Sequence, residues 1–112
     1  MISERVRERY LRDPLPIRLG GLAADLARIA SCVEDPRDRD TVKSLLEEGK
    51  YFAEWAAPEA SVDVQAVLAE VQVQLVLWQR RWLAGRVDPT MSDQARHWSD
   101  RILEVSGLLG RE

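Results

Sequence analysis

The sequence predicts an all-α fold, and three observations lead to that prediction. Apolar residues recur at spacings of three and four through most of the chain, which is the period of a helix face. Proline or glycine divides this pattern into five segments, with breaks at Pro14, Pro36, Pro58, Gly85 and Pro89. Only residues 71–75 alternate apolar and polar side chains, and a lone strand would leave its backbone unpaired.

The first two predicted helices are separated by a stiff connector. Ser3 can cap a short helix over residues 3–11. Pro14 and Pro16 end it, because each proline forces the residue before it towards extended backbone. Pro16 also suits the first turn of a second helix, which we predict over residues 17–33.

The other three helices begin at capping residues and end at proline or glycine. An Asp-Pro pair begins both the third and the fifth helix, since aspartate caps the helix and proline takes its first position. Ser61 or Asp63 begins the fourth helix, and Gly85 ends it. We predict these three helices over residues 36–57, 62–84 and 89–109.

Length and composition indicate one domain. A chain of 112 residues can bury one core but is short for two. Hydrophobic residues make up 46% of it and charged residues 31%, which is typical of globular proteins. Short connections make neighbouring helices antiparallel. We therefore predict a single domain over residues 1–112, built as an antiparallel four-helix bundle with a short additional N-terminal helix.

Composition also limits the compartment and the partners. The one cysteine, Cys32, cannot form an internal disulfide, and no signal-peptide pattern opens the chain, so we expect a cytoplasmic protein. The longest apolar run, residues 75–78, is far shorter than the ~20 residues of a membrane span, so we expect no membrane association. The net charge of −3 makes nucleic acid an unfavourable partner.

The arginine-rich start of the chain is a local exception to this acidic balance. Residues 1–18 carry five arginines against three carboxylates. We interpret this stretch as a solvated face with glutamate–arginine pairs along a helix. Contact of the same stretch with an acidic partner or with nucleic acid is one of three function hypotheses, and the weakest. The other two rest on the fourth helix and on the tryptophans.

No residue pattern in the chain indicates catalysis or a bound metal. The only histidine, His97, falls on the predicted exposed side of the fifth helix. With Asp93 and Asp100 it would form a site on a single helix that has too few ligands. Cys32 has no activating base beside it. We therefore expect a protein that is not an enzyme and that holds no metal and no cofactor.

The fourth helix has two apolar faces. One face carries Val64, Val67, Leu68, Val71, Leu75, Trp78 and Trp82. The nearly opposite face carries Ala66, Ala69, Val73, Val76 and Leu77. Such a helix is covered on two sides, either by the chain's own helices or by the same face of a second copy. We favour the second copy, so the leading hypothesis is a homodimeric, non-enzymatic protein–protein interaction module that can also hold a further protein partner.

Aromatic residues supply two further candidate surfaces. Tyr51 and Trp55 lie off the core face of the third helix, so either the first helix covers them or they contact another chain. Trp78, Trp82 and Trp98 fall on core stripes, where they would fill the centre of the bundle. The alternative function is a carrier, in which these three tryptophans line a pocket between helices for a small apolar ligand or pigment.

Four stretches of the chain carry a resemblance to a known group. They are LRDPLPIRLGGLAADLARIA, KYFAEW, LWQRRW and HWSDRILEVSGLL. With these stretches, nearly the whole chain resembles a group of small uncharacterised helical proteins of cyanobacteria. The group has no established activity, cofactor or catalytic residue. The resemblance therefore implies a cytosolic cyanobacterial protein and assigns no site.

Overall fold

The computed structural model describes residues 3–86 and 88–108, and all regular secondary structure within them is helical. Five α-helices follow one another: α1 Glu4–Arg12, α2 Leu15–Cys32, α3 Arg39–Ala56, α4 Val62–Leu83 and α5 Met91–Ser106. Two 3-10 turns, Pro36–Asp38 and Ala57–Glu59, lie on either side of α3. The all-helical class predicted from the sequence is confirmed.

Serine side chains and a glycine set three of the helix ends. The Ser3 hydroxyl accepts a hydrogen bond from the Val6 backbone N–H at 3.2 Å and begins α1. Ser61 does the same for Val64 at the start of α4, at 3.3 Å. Gly107 caps the end of α5, and its φ of 85° lies in the left-handed region that favours glycine. These ends follow from local sequence alone.

The third predicted helix begins later than the sequence indicated. Pro36–Asp38 forms a 3-10 turn, and the α-helix starts at Arg39 rather than at residue 36. The Asp35 side chain accepts from the Arg37 backbone N–H at 2.9 Å. Asp35 therefore caps the turn and not the helix that follows.

The fifth predicted helix, given as 89–109, is shorter at its start. The Asp88 carboxylate accepts from the backbone N–H two residues further on, at 2.9 Å, which closes a turn before Met91. The helix ends at Ser106, ahead of the left-handed Gly107. Residue 109, where we predicted the end, lies outside the described residues.

The most enclosed helix is α2. It packs along α5 on one side and α3 on the other, whereas α4 packs on α3 and only lightly on α5. Two hydroxyls strengthen the α2–α5 contact, because Ser92 and Ser99 each donate to a carbonyl of α2, those of Ala30 and Ala23, at 2.8 Å. The core they border includes Leu19, Leu22, Leu26, Ile29, Val42, Leu46, Leu68, Val71, Leu75, Trp78 and Ile102.

The short helix α1 lies against α3 through one aromatic anchor. The ring of Tyr10 stacks on Phe52 with 3.9 Å between centroids and 9° between planes. Its hydroxyl donates to the Arg18 carbonyl at 2.8 Å. Gly21 lies beside both rings, and a Cβ there would be 3.9 Å from each. A side chain as small as that of alanine would therefore make only ordinary van der Waals contact with the stacked pair.

Candidate interaction surface

The side of α4 that faces away from the core is apolar and exposed. Val73 is 61% exposed, Leu77 41% and Val76 38%. Ala66 and Ala69 are also exposed and lie on the same side. All five residues of the second apolar face predicted for this helix therefore share one exposed surface.

This surface is longer than the five predicted residues. Val62 at the start of the helix is 79% exposed, and Leu83 at its end is 63% exposed. We define the outer face of α4 as these two residues together with Ala66, Ala69, Val73, Val76 and Leu77. The helix has 22 residues and so runs about 33 Å. The outer face extends over all of it.

A regular spacing underlies the outer face. Residues 62, 66, 69, 73, 76, 80 and 83 alternate steps of four and three, which is the a/d spacing of a seven-residue repeat over three heptads. Only Arg80 interrupts the apolar row. This spacing is the sequence signal that identifies Val62 and Leu83 as members of the face. The sequence prediction took only the central residues of the helix and so missed these two.

The opposite side of α4 supplies the core. Its buried residues are Val67, Leu68, Val71, Leu75, Trp78 and Trp82. Each is at most 5% exposed. The helix is therefore held in the chain by one apolar side and presents a second apolar side to solvent.

Shallow grooves lie on both sides of the ridge that Ala69 and Val73 form at the middle of the outer face. Val76 and Leu77 line the groove on one side. Trp98, which is partly buried on α5, lines the groove on the other side. A ridge between two grooves is the shape that another helix packs against, ridges into grooves.

The flanks of the outer face differ in charge along the helix. Gln72 and Gln79 are both connected to α3 through Lys50, whose ammonium donates to Gln79 Oε1 at 2.7 Å. On the outer side, Asp63 and Glu70 place negative charge in the first half of α4, and Arg80 places positive charge in the second. The surface thus has an acidic end and a basic end.

The predicted secondary patch of Tyr51 and Trp55 is half-buried. Their ring centroids are 5.5 Å apart. Trp55 also lies 5.9 Å from the Tyr10 ring and 5.9 Å from the guanidinium carbon of Arg7. Helix α1 therefore covers part of this patch.

The three tryptophans of the alternative ligand pocket do not surround one cavity in the described part of the chain. Trp78 is 1% exposed and donates its indole N–H to Gln94 Oε1 at 3.2 Å. Trp82 donates to the Arg39 carbonyl at 3.1 Å, and the Arg39 guanidinium lies 4.7 Å from its ring. Trp98 lies apart, at the edge of the α4 groove. Trp78 and Trp82 are packed and hydrogen-bonded as core residues.

A buried polar cluster lies beneath α1. The Arg18 side chain, placed by sequence on a solvated face, is 4% exposed, so that interpretation is wrong for this residue. Its Nε donates to the Asp13 carbonyl at 3.0 Å, and its terminal nitrogen pairs with Glu59. Burial raises the pKa of the neighbouring Tyr10 hydroxyl.

Asp25 is the second ionisable residue that the structure buries. The residue is 6% exposed, and its Oδ2 accepts no hydrogen bond from any donor group in the part of the chain that the structure describes. Burial, then a hydrogen bond to Glu48 and the negative charge of that residue, raises the pKa of Asp25 to about 9. The only sequence signal was position, since Asp25 lies one turn from Leu22 and Ile29 on the buried side of α2.

The residues considered for chemistry remain separate. His97 is exposed and makes an edge contact with Trp98 at 5.3 Å between centroids. Cys32 is a free thiol whose pKa is raised by slight desolvation and by Asp38. The described residues contain no group of three histidine, cysteine or carboxylate side chains placed to hold a metal. None of the described helices combines the length and apolarity needed to cross a membrane.

Comparison with known proteins gives no match, either to a protein-family model, to a curated protein or to a solved structure. The resemblance to the cyanobacterial group stays a prediction.

Proposed function

We propose that this protein is a non-enzymatic protein–protein interaction module that forms a homodimer through the outer face of α4. The observation that carries the proposal is the exposure of an apolar face along a whole helix whose other side is already in the core. Contiguous exposed apolar patches of this kind mark association surfaces in globular proteins.

Burying this face gains more hydrophobic free energy than burying an ordinary part of a protein surface. Full burial of a valine or leucine side chain is worth roughly 1.5–3 kcal/mol. Val62, Val73 and Leu83 are each more than half exposed, and Val76 and Leu77 are more than a third exposed. Two copies bring two such sets together, so several kilocalories per mole oppose the entropy cost of association.

A second copy of this chain is the occupant that the face fits best. An isologous contact places one patch against itself, and a row that is apolar at six of its seven positions is complementary to itself under a two-fold axis. Because the only charge in the row, Arg80, lies near one end, two copies meet at the centre without charge burial. In this proposal the chain is an antiparallel four-helix bundle with α1 across it, located in the cytoplasm.

The oligomeric state tests the proposal directly. We expect sedimentation equilibrium over a wide concentration range to give a dimer for the natural chain and a monomer for Val73→Glu. A glutamate in the middle of the contact would be buried without a partner, which costs about 3–5 kcal/mol and raises the dissociation constant by two orders of magnitude or more. Circular dichroism should show unchanged helix content.

A matched control shows whether the effect depends on the position of the glutamate or only on its charge. Ile17→Glu introduces the same side chain at a β-branched apolar residue that is 49% exposed on α2, and it should leave the dimer intact. If Val73→Glu does not fold, Leu83→Glu at the end of the face provides the same measurement. A natural chain that remains monomeric at all concentrations, or a Val73→Glu and Leu83→Glu pair that both remain dimeric, would contradict the proposal.

A further inference from the structure

We propose that the two copies of α4 pair antiparallel over three heptads, with Arg80 of each copy against Ala69 of the other. This inference rests on the proposed homodimer and specifies how its two helices meet. It comes from the spacing, size and charge of the exposed residues on α4.

The spacing restricts how the helices align. In an antiparallel pair each a residue faces a d residue of the second copy, so the numbers of facing residues have a constant sum. One alignment uses every exposed position from 66 to 83. It sets Val73 against Val76, Ala66 against Leu83 and Ala69 against Arg80, with the two-fold axis between residues 74 and 75.

Side-chain size favours this alignment. The two largest members of the row, Leu83 and Arg80, each face an alanine, and the two valines face one another. Pairing large with small residues in successive layers keeps the separation of the helices even and the packing dense. Shifting the alignment by one heptad sets Arg80 against Val62 and leaves Leu83 without a facing residue, where the alignment above sets Arg80 against an alanine and leaves Val62 without one.

Charge favours the antiparallel orientation over the parallel one. Arg80 and Glu70 are both exposed, and neither forms an ion pair among the described residues. When Arg80 lies over Ala69 of the second copy, its long side chain reaches Glu70 of that copy beside it. A parallel pair would instead set Arg80 against Arg80, and it would align the two helix dipoles unfavourably.

The small residues admit close contact at one end of the row. Ala66 and Ala69 have no side chain beyond Cβ, so the Arg80 and Leu83 side chains of the second copy can lie flat over the helix backbone. In a parallel pair these alanines would face each other and leave a gap next to the valine layers. Gaps of this kind forfeit dispersion contacts.

Engineered cysteines distinguish the two orientations. In a background of Cys32→Ala, the antiparallel pair brings Ala66→Cys of one copy next to Leu83→Cys of the other, within the ~7 Å between Cα atoms that a disulfide requires. The single variant Ala66→Cys is the control, because its two sulfurs would be separated by roughly 17 residues of helix, about 25 Å.

We expect a mild thiol oxidant to convert the double-cysteine chain to covalent dimer at concentrations where the single-cysteine chain stays uncross-linked. Cross-linking of Ala66→Cys alone would show a parallel pair and overturn the antiparallel inference while the homodimer stands. A natural chain that is monomeric by sedimentation fails both proposals. A dimer that cross-links through neither variant overturns the alignment given above.

A charge exchange gives a second test that does not depend on cysteine chemistry. Glu70→Arg should weaken the dimer about tenfold, because it replaces attraction to Arg80 of the second copy with repulsion. Adding Arg80→Glu should restore most of the affinity by reversing both charges. If the double variant binds no better than Glu70→Arg alone, the two residues are not partners and the alignment is wrong.

Discussion

The buried carboxyl group of Asp25 should make the stability of this protein fall as pH rises through the neutral range. The pKa of Asp25 is raised from an ordinary 3.8 to about 9, first by burial and then by Glu48. Between these two values the folded chain binds a proton that the unfolded chain has released. The contribution is therefore fully present below pH 4 and is lost as pH rises towards 9.

The size of the effect follows from proton linkage. One proton taken up on folding changes the free energy of unfolding by up to about 1.4 kcal/mol per pH unit. Glu48 raises the pKa of Asp25 further by hydrogen bonding and by its negative charge, and Arg28 opposes the shift only as the last of its causes. A loss of this size over two or three pH units is a large part of the stability of a small domain.

The measurement is urea unfolding of the natural chain and of Asp25→Asn between pH 5 and 8.5, at one protein concentration. Asparagine has the shape of the protonated carboxyl and donates to Glu48 without titrating. We expect the natural chain to lose stability steadily over this range and Asp25→Asn to show a much flatter profile. The free energy of unfolding of the variant, relative to that of the natural chain, should therefore increase as pH rises.

The chosen range separates Asp25 from other titrating groups. Asp35 and Asp88 have lowered pKa values, by hydrogen bonds from Arg37 and Thr90, so their contributions are present in this range and are lost only in acid. Asp93→Asn, on the exposed side of α5, is the control and should reproduce the natural slope. Equal slopes for Asp25→Asn and the natural chain would refute a protonated Asp25 in the folded state.

Two further substitutions, one of them with a control, test contacts in the helical core. Gly49→Ala should destabilise the chain by about 1 kcal/mol in thermal unfolding, because the new Cβ would lie 3.2 Å from Cδ1 of fully buried Leu75, and this crowding outweighs the better helix propensity of alanine. Its control, Gly20→Ala, meets only the exposed Leu108 side chain, which can move, so it should be neutral or stabilising by up to about 1 kcal/mol. Tyr10→Phe keeps the stacked rings but removes the hydrogen bond that the Tyr10 hydroxyl donates to the Arg18 carbonyl, so urea unfolding should show a loss of about 0.5–1.5 kcal/mol; no loss would contradict the role given to that hydrogen bond.

The helices of this protein are readable from its sequence because the signals that bound them are local. Ser3, Ser61 and Gly107 act on backbone groups within a few residues, so no knowledge of the rest of the fold is needed. The sequence predicts the start of α3 at residue 36, three residues before its observed start at Arg39, for a related reason. An Asp-Pro pair caps a 3-10 turn as well as it caps an α-helix, and sequence does not distinguish the two.

The burial of two ionisable residues could not be predicted in the same way. Arg18 and Asp25 lie within helix α2 among both apolar and polar residues, and the usual expectation places charged residues in water. Their burial depends on α1 and α3 closing over them, which is a property of the assembled fold. The outer face of α4 could be predicted in part. The periodicity predicts its central residues, whereas its exposure and its extension to Val62 and Leu83 are seen only in the structure.

The contact between α2 and α5 has a consequence for how the chain is made. The hydroxyl–carbonyl bonds that join these helices connect residues 76 and 62 positions apart in the sequence. A ribosome must therefore synthesise most of the chain before the apolar side of α2 can meet α5, the helix against which it packs most extensively. Until α5 emerges, α2 has only α3 to cover it, so the nascent protein carries an open hydrophobic surface through most of its synthesis.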